Sequence, residues 1–427
     1  MRSARWTAAL GLALAMASGA AAADAMPSRP ADAFVEAIGV NVHAHTHYEA
    51  HHEAVKAKLR DLGVRHVRDG TTPTALRYAG EFFRDLGIRT TFITGRRVGG
   101  QTEWKSPLDP AKIDAEIAGL RAAAPAIAAI EGPNEYDLFH DDREPDWPAA
   151  RRRYHQAVVA KVKADPALRH LPVIAPSLTS EKAYEALGSM DEWIDFACIH
   201  LYQSTRHPGT LGWGDNGYGS IDWALARLVA RQSPARKPVI STEAGYLTRT
   251  GDALSEAADG IYTPRMFAEF FRRGFARTFK YELFGDEYGL LREDLSERPA
   301  FAAMKNLIAL MRDPGPAFSP AALRLTVTGP PDLRQMLFQK RDGTFLLMLW
   351  REVSVWEPNA KKDLDVSPTA VALTFDEPVR RADVYEPNAS AQPRETHADP
   401  KRLEVLVAGR LLVVAIQRQA ISPSGSL

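Results

Sequence analysis

The sequence predicts a (β/α)8 TIM barrel followed by a C-terminal antiparallel β-sandwich domain. Three observations carry that expectation. Eight short apolar runs alternate with longer amphipathic stretches between about residues 36 and 312. Their mean repeat is about 34 residues, close to the unit of a barrel of typical size. After Met311 the pattern changes to short strand-like runs separated by turn residues, as in a sandwich.

The eight strand candidates end near Val42, Arg68, Thr94, Glu131, Pro176, His200, Thr242 and Leu283. Apolar positions recurring at three- and four-residue spacing mark helices over 53–62, 110–123, 149–163, 221–231, 264–275 and 300–311. The stretch 181–187 is a short helix candidate after the fifth strand. No Gly-x-Gly-x-x-Gly turn follows the first strand, so a doubly wound open sheet fits less well than a closed barrel. Asp313-Pro314-Gly315-Pro316 reads as a linker. Beyond it, strands are expected over 323–327, 335–339, 344–350, 370–375, 381–385, 403–407 and 411–416. Lys340-Arg341-Asp342-Gly343-Thr344 is a hairpin signal with Asp-Gly at its turn. The expected organisation is a signal peptide at 1–23, an N-terminal segment at 24–35 and a barrel at 36–312. A linker at 313–320, a sandwich at 321–420 and a tail at 421–427 complete it.

Of the 427 residues, 45% are hydrophobic and 25% charged, the composition of a globular protein. The 53 basic side chains balance 53 acidic ones, which argues against nucleic acid or an anionic membrane surface as the main partner. Arg2 and Arg5, an apolar stretch from Ala8 to Ala17 and the small residues before Asp24 read as a secretory signal cut near Ala22 or Ala23. The apolar run falls short of the roughly 20 residues that a spanning helix needs. The mature chain is therefore expected to be secreted or periplasmic, without a membrane span, and monomeric. Cys198 is the only cysteine, so no intrachain disulfide forms, and its apolar neighbours mark it as core filler.

In such a barrel, chemistry sits at the C-terminal strand ends. The polar residues there are Asn41, His43 and His45 on strand one, and Arg68 and Asp69 on strand two. Strand four offers Asn134 and Glu135, strand six His200 and Tyr202, strand seven Glu243, and strand eight Tyr281 and Glu282. Glu135 and Glu243 stand three barrel units apart, which places both carboxyls at the barrel mouth. A facing pair of carboxyls is what glycoside hydrolysis needs, one to protonate the leaving oxygen and one to attack or to activate water. A separation of about 5–5.5 Å, the retaining geometry, is expected rather than about 6.5–9.5 Å.

From about residue 36 to 312 the chain resembles the retaining glycoside hydrolases of clan A. Asn134-Glu135 matches the clan's Asn-Glu at the end of strand four, Glu243 its strand-seven glutamate, Arg68 its strand-two arginine and His200-Leu201-Tyr202 its His-x-Tyr. The resemblance implies that Glu135 is the acid/base, Glu243 the nucleophile, and Asn134 the partner of the sugar 2-hydroxyl. The particular substrate does not carry over; a poly- or oligosaccharide is expected, with neither metal nor cofactor. The appended β-domain is similar to those of several clan families.

The chemistry of the residues points the same way. Arg68 and Tyr202 are suited to hold Glu243 ionised. A nearby carboxylate and partial burial are expected to raise the pKa of Glu135. His200 and Tyr202 share a strand face, though a core histidine and a packed tyrosine is the plain alternative. Asn41, His43, Tyr281 and Glu282 are candidates for substrate contact, as are Trp213 and Tyr218 in the glycine-rich loop 203–220, where local packing is the rival explanation. Trp104 and Trp147 are weaker candidates. Asp137, Asp141, Asp142, Glu144 and Asp146 form an acidic loop without EF-hand spacing, better read as solvated than as a calcium site. Two rival functions remain. One is a metal-dependent barrel hydrolase using His43 and His45 on one strand face; the other is a non-catalytic carbohydrate-binding protein.

Overall fold

A computed structural model describes residues 25–98, 106–139, 146–249, 253–285 and 287–419. The leader, Trp104, Asp141, Asp142, Glu144 and the C-terminal tail of the sequence expectations lie outside these residues. Eight parallel strands form the first sheet: β1 (Ile38–Asn41), β2 (His66–Gly70), β3 (Arg89–Ile93), β4 (Ile127–Glu131), β5 (Val173–Ile174), β6 (Ala197–His200), β7 (Val239–Ala244) and β8 (Arg277–Lys280). Their order is β5-β4-β3-β2-β1-β8-β7-β6. A parallel bridge between Ile174 and Phe196 joins β5 to β6 and closes the barrel. The strands end within three residues of the expected positions. Register then fixes one layer of polar residues at the mouth: Asn41 pairs with Arg68, Ile93 with Glu131, and His200 with Glu243.

Helices follow the strands: α1 (His52–Leu62), α2 (Pro73–Leu86), α3 (Ile113–Ala123), α4 (Trp147–Ala164), α5 (Glu181–Leu187), α6 (221–232), α7 (Glu256–Arg272) and α8 (Pro299–Met311). Their starts are written in short polar side chains. Thr72, Ser180, Ser220 and Ser255 each accept a backbone N–H three residues on, a cap worth about 0.5–2 kcal/mol. Gly63 and Gly87 end α1 and α2 in the left-handed region, at φ +80° and +71°.

Helix α7 corrects an expectation. The sequence places a helix start at Pro264, but Ser255 caps α7 and Pro264 sits inside it. Proline has no N–H for the carbonyl four residues back. That carbonyl, Gly260 O, instead accepts from Asn388 Nδ2 at 2.7 Å. A side chain from the C-terminal region thus replaces the missing helical donor.

The C-terminal strands are β9 (Leu325–Thr328), β10 (Leu333–Gln339), β11 (Phe345–Arg351), β12 (Thr369–Phe375), β13 (Val379–Tyr385), β14 (Glu395–Ala398), β15 (Arg402–Val407) and β16 (Leu412–Arg418). They form an antiparallel sheet β10-β11-β16-β13-β14 and a three-stranded sheet β9-β12-β15. Strand β14 escaped the sequence reading, because Glu-Thr-His-Ala carries no apolar run. The expected Asp-Gly hairpin joins β10 to β11, with Gly343 at φ +89°.

Both faces of the larger sheet are covered. Leu337, Phe345, Leu347 and Leu349 enter the core between the sheets. Phe338, Leu346, Met348 and Trp350 join the barrel core instead. This double burial explains why β11 reads as an unbroken apolar run. Residues Arg29–Pro30 add a short parallel strand beside β10 before the chain enters the barrel. The N-terminal segment thereby ties the start of the barrel to the second sheet system.

Candidate active site

Arg68 organises the barrel mouth. It is buried on β2 and donates from Nε and Nη2 to both oxygens of Glu131, at 2.7 and 2.8 Å. Nη1 reaches Glu243 Oε1 at 2.7 Å and Asn41 Oδ1 at 2.9 Å, and Nη2 also reaches Asn134 Oδ1 at 2.7 Å. Five acceptors on four residues are thus held by one planar fork, which a lysine cannot reproduce.

Glu243, on β7, receives Arg68 on Oε1 and the Tyr202 hydroxyl on Oε2 at 2.8 Å. Burial first, then the Glu243 charge, pushes the Tyr202 hydroxyl well above its ordinary pKa, so it stays an O–H donor. Asn134 Oδ1 accepts from Arg68 and from Ser177 Oγ at 3.1 Å. Two donors on the oxygen fix the amide's orientation and leave its NH2 group as a donor.

Glu135 follows β4 with a left-handed backbone, φ +41°, strained for a residue with a side chain. Its N–H donates to Ser177 O, and buried Arg151 donates to Pro133 O and Ser177 O, so the turn is pinned from behind. His200 Nδ1 lies 2.6 Å from Glu135 Oε1 and 3.5 Å from Glu243 Oε2. A carboxylate oxygen of Glu135 and one of Glu243 lie within 4.8 Å of each other.

The tautomer of His200 follows from its other neighbour. Thr242 Oγ1 donates its one proton to Glu131 Oε1 at 3.1 Å. It must therefore accept from His200 Nε2, 3.0 Å away. With a proton fixed on Nε2, the remaining proton of the pair sits between His200 Nδ1 and Glu135 Oε1. Burial raises the pKa of Glu135, but the hydrogen bond and charge of His200, with Arg68, outweigh it and lower the value. Burial lowers that of His200, but the charges of Glu243 and Glu135 outweigh it and raise the value. This is opposite to the raised Glu135 pKa expected from the sequence: the shared proton is drawn towards His200.

A cleft of ≈ 290 Å³ opens over Glu135 and Glu243, lined also by His43, His45, Thr71, Arg96, Pro133 and Tyr281. Larger hollows of ≈ 650 and ≈ 820 Å³ lie elsewhere, lined mainly by the C-terminal strands and away from the acid pair. Chemistry rather than size makes this cleft the candidate site. Tyr281 forms one wall, with Tyr288 bridging from it to Tyr202 at ring distances of 5.6 and 5.8 Å.

Other candidates separate from the site. Asn41 is buried and spends its amide on Arg68 and on Thr242 O, so it supports the arginine and offers nothing to a substrate. Glu282 faces Tyr48 and His43 and lines an adjoining hollow with His47 and Phe284. Burial pushes its pKa up to about 7. Trp213 and Tyr218 pair across a small hairpin, with Arg206 over one ring and Trp223 against the other. They pack locally and do not line the cleft. Trp147 packs against the barrel core, and Asp137 accepts from Thr179.

The histidines do not alternate along a strand, because β1 ends at Asn41 and a turn begins at Ala44. His43 meets Tyr281 and Glu282, His45 lies 3.9 Å from Asp69, and His47 packs on Phe284. Glu135, His200 and Glu243 have the reach of a three-ligand cation site. Arg68 and Tyr202 donate to the two oxygens of Glu243, and His200 Nδ1 bonds Glu135 Oε1, so a cation there would compete with three bonds already made.

Sequence reasoning missed Glu131, Thr242, Ser177, Arg151, Tyr288 and Arg96. Glu131 was legible as a second acid within Glu131-Gly132-Pro133-Asn134-Glu135, at the end of a buried strand that faces Arg68.

No family model matches the chain, and no curated protein matches it in sequence. Solved structures do resemble it. A glucosidase from Croceicoccus marinus matches with a TM-score of 0.58 at 13% identity, over 86% of this chain and 92% of that one. A 4-O-α-L-rhamnosyl-β-D-glucuronidase from Fusarium oxysporum matches with a TM-score of 0.56 at 13% identity, over 92% of this chain and 97% of that one. The chain shares the barrel-plus-β-domain fold of these glycosidases.

Proposed function

We propose that the protein is a retaining glycoside hydrolase acting on a poly- or oligosaccharide, with Glu243 as nucleophile and Glu135 as acid/base. The observation that carries this reading is the acid pair itself. Two carboxylates lie within 4.8 Å, one held by Arg68 and Tyr202, the other sharing a proton with His200. Acids that approach this closely suit direct attack by one of them, the shorter of the two geometries of glycoside hydrolysis. The fold shared with a glucosidase and a rhamnosyl-glucuronidase supports a sugar substrate. The basic and apolar start of the chain supports export.

In the first step Glu243 attacks the anomeric carbon, and the bond to the leaving oxygen breaks. The proton held by the Glu135–His200 pair passes through Glu135 to that oxygen. Glu243 becomes an ester and loses its charge. His200 then loses its main electrostatic support, so the pair stays deprotonated and Glu135 is a free base. In the second step Glu135 takes a proton from water, the water oxygen attacks the anomeric carbon, and Glu243 leaves as a carboxylate. Asn134 donates to the sugar hydroxyl beside the reacting carbon, where the bond tightens in the transition state.

The test is a screen of wild type and Glu243→Gln on a broad glycan panel, with NMR of the first-formed anomer. Hydrolysis with retained configuration, absent in the variant, supports the proposal. Inverted product, or equal activity of the variant, overturns it.

A further inference from the structure

The cleft has a cationic corner that acid/base chemistry does not use. Arg96 lies just past β3 and lines the cleft beside Gly70, Thr71 and His45. It is held in place before any ligand arrives. Its backbone N–H donates to Tyr154 Oη at 3.0 Å, and Nη2 donates to the Thr71 carbonyl. Among the described residues, Nη1 has no hydrogen-bond acceptor.

Among the described residues the acid in contact with Arg96 is Glu116, whose Oε1 lies 3.9 Å from Nε, an ion pair too long for a hydrogen bond. Glu116 is buried behind the strand end and accepts from Thr71 Oγ1 at 2.6 Å, Tyr154 Oη at 2.9 Å and Gly95 N at 3.3 Å. Burial raises its pKa despite these bonds. Its three hydrogen bonds brace the corner, and its contact with Arg96 is through Nε, leaving Nη1 without an acceptor among the described residues. The field of Arg96 reaches across the cleft: after burial, the Arg96 charge is what holds His45 below its ordinary pKa. Arg97 lines the same side, donating from Nη1 to Ser106 O at 3.0 Å and lying over the Tyr136 ring.

Among the described residues neither catalytic acid is in ion-pair contact with Arg96: Glu243 bonds Arg68, which also holds Glu131, and Glu135 bonds His200. A neutral sugar entering the cleft would strip water from Arg96 and return nothing ionic, a net cost. An anionic group on the sugar offsets that cost through a charge-assisted bond to a fork already oriented.

We propose that Arg96 binds the carboxylate or sulfate ester of an acidic sugar unit, so that the substrate is an anionic glycan. This rests on the glycosidase reading of the same cleft. The inference concerns recognition, and binding can test it without turnover.

The experiment measures calorimetric binding to the Glu243→Gln protein. The probes are uronate-containing oligosaccharides with their carboxyl-reduced counterparts, and sulfated oligosaccharides with their desulfated ones. The acidic form of one pair is expected to bind about 10- to 100-fold more tightly than its neutral partner. Adding Arg96→Met should abolish that preference, and Arg96→Lys should restore part of it. Which pair responds identifies carboxylate or sulfate. Equal binding within both pairs, no binding of any acidic probe, or a preference that survives Arg96→Met overturns the proposal. Hydrolysis of neutral glycans alone by wild type also overturns it and leaves the glycosidase reading standing. Preferential binding of acidic probes without hydrolysis supports Arg96 recognition and removes the glycosidase reading.

Discussion

His200 Nδ1 and Glu135 Oε1 lie 2.6 Å apart, and the proton between them belongs to the pair. Thr242 fixes the opposite nitrogen of the ring as a donor, so the pair has one place to hold that proton. His200 has a raised pKa, so the proton is retained below its ordinary value of 6.5 and lost only as pH rises through the raised value. The basic limb of kcat/KM should therefore lie above pH 6.5. In His200→Asn the limb should move to lower pH, because a lone glutamic acid must then hold the proton. A pH–rate profile checks this, and an unmoved limb would show that His200 does not share the proton.

Arg68 is the only cation bonded to both Glu131 and Glu243 among the described residues. Arg68→Met leaves Glu131 buried without its partner, and breaking such a pair costs about 3–5 kcal/mol. Arg68→Lys keeps the charge but loses the fork, so it should fold with a loss of about 1–3 kcal/mol and a lower kcat. Denaturant unfolding and steady-state kinetics measure both effects. A lysine variant with full activity would show that the fork's geometry is dispensable.

The Asn388–Gly260 contact predicts a specific coupling. Asn388→Ala should cost about 1–3 kcal/mol by leaving a buried carbonyl unpaired. In a Pro264→Ala background the helix regains its own N–H, and Asn388→Ala should then cost much less. A double-mutant cycle reads the difference directly. Additive effects would mean that Asn388 does not replace the missing donor.

Burial sets a pH dependence at Glu282. Its folded pKa, about 7, stands above the ordinary 4.5. The folded protein keeps this proton between those values while the unfolded chain releases it. The contribution of this group to stability is therefore greatest below pH 4.5 and declines as pH rises towards 7. Glu282→Gln should flatten the fall of Tm across that window. An unchanged Tm slope would place the carboxyl in a more solvated setting.

How much of this was legible follows the physics of each element. Barrel strands are buried on both faces, so their apolar runs announce themselves and their polar last residues stand out. Glu135, Glu243, Arg68, Asn134, His200 and Tyr202 stand out in this way, and the structure brings them together at the barrel mouth. Contacts between elements distant in sequence were not legible. The proline in α7 reads as a helix start because its replacement donor is more than a hundred residues away. Arg96 and Tyr288 lie past strand ends, where period-two alternation no longer tells which way a side chain points. Trp213 and Tyr218 have the composition of a sugar platform, but their nearest partners, Arg206 and Trp223, lie on the same loop and on the helix that follows it.

The most direct test of the central claim is chemical rescue of the two alanine variants with azide and an activated aryl glycoside that wild type hydrolyses. Glu135→Ala should still form the glycosyl-enzyme from a substrate with a good leaving group, and azide should then attack without base help, giving a glycosyl azide of retained configuration. Glu243→Ala lacks the nucleophile and should give no glycosyl-enzyme, with any azide product inverted. Rescue with retention only in Glu135→Ala is the predicted result. The reversed pattern would exchange the roles of the two glutamates, and full activity of both variants without azide would contradict the assignment of this pair.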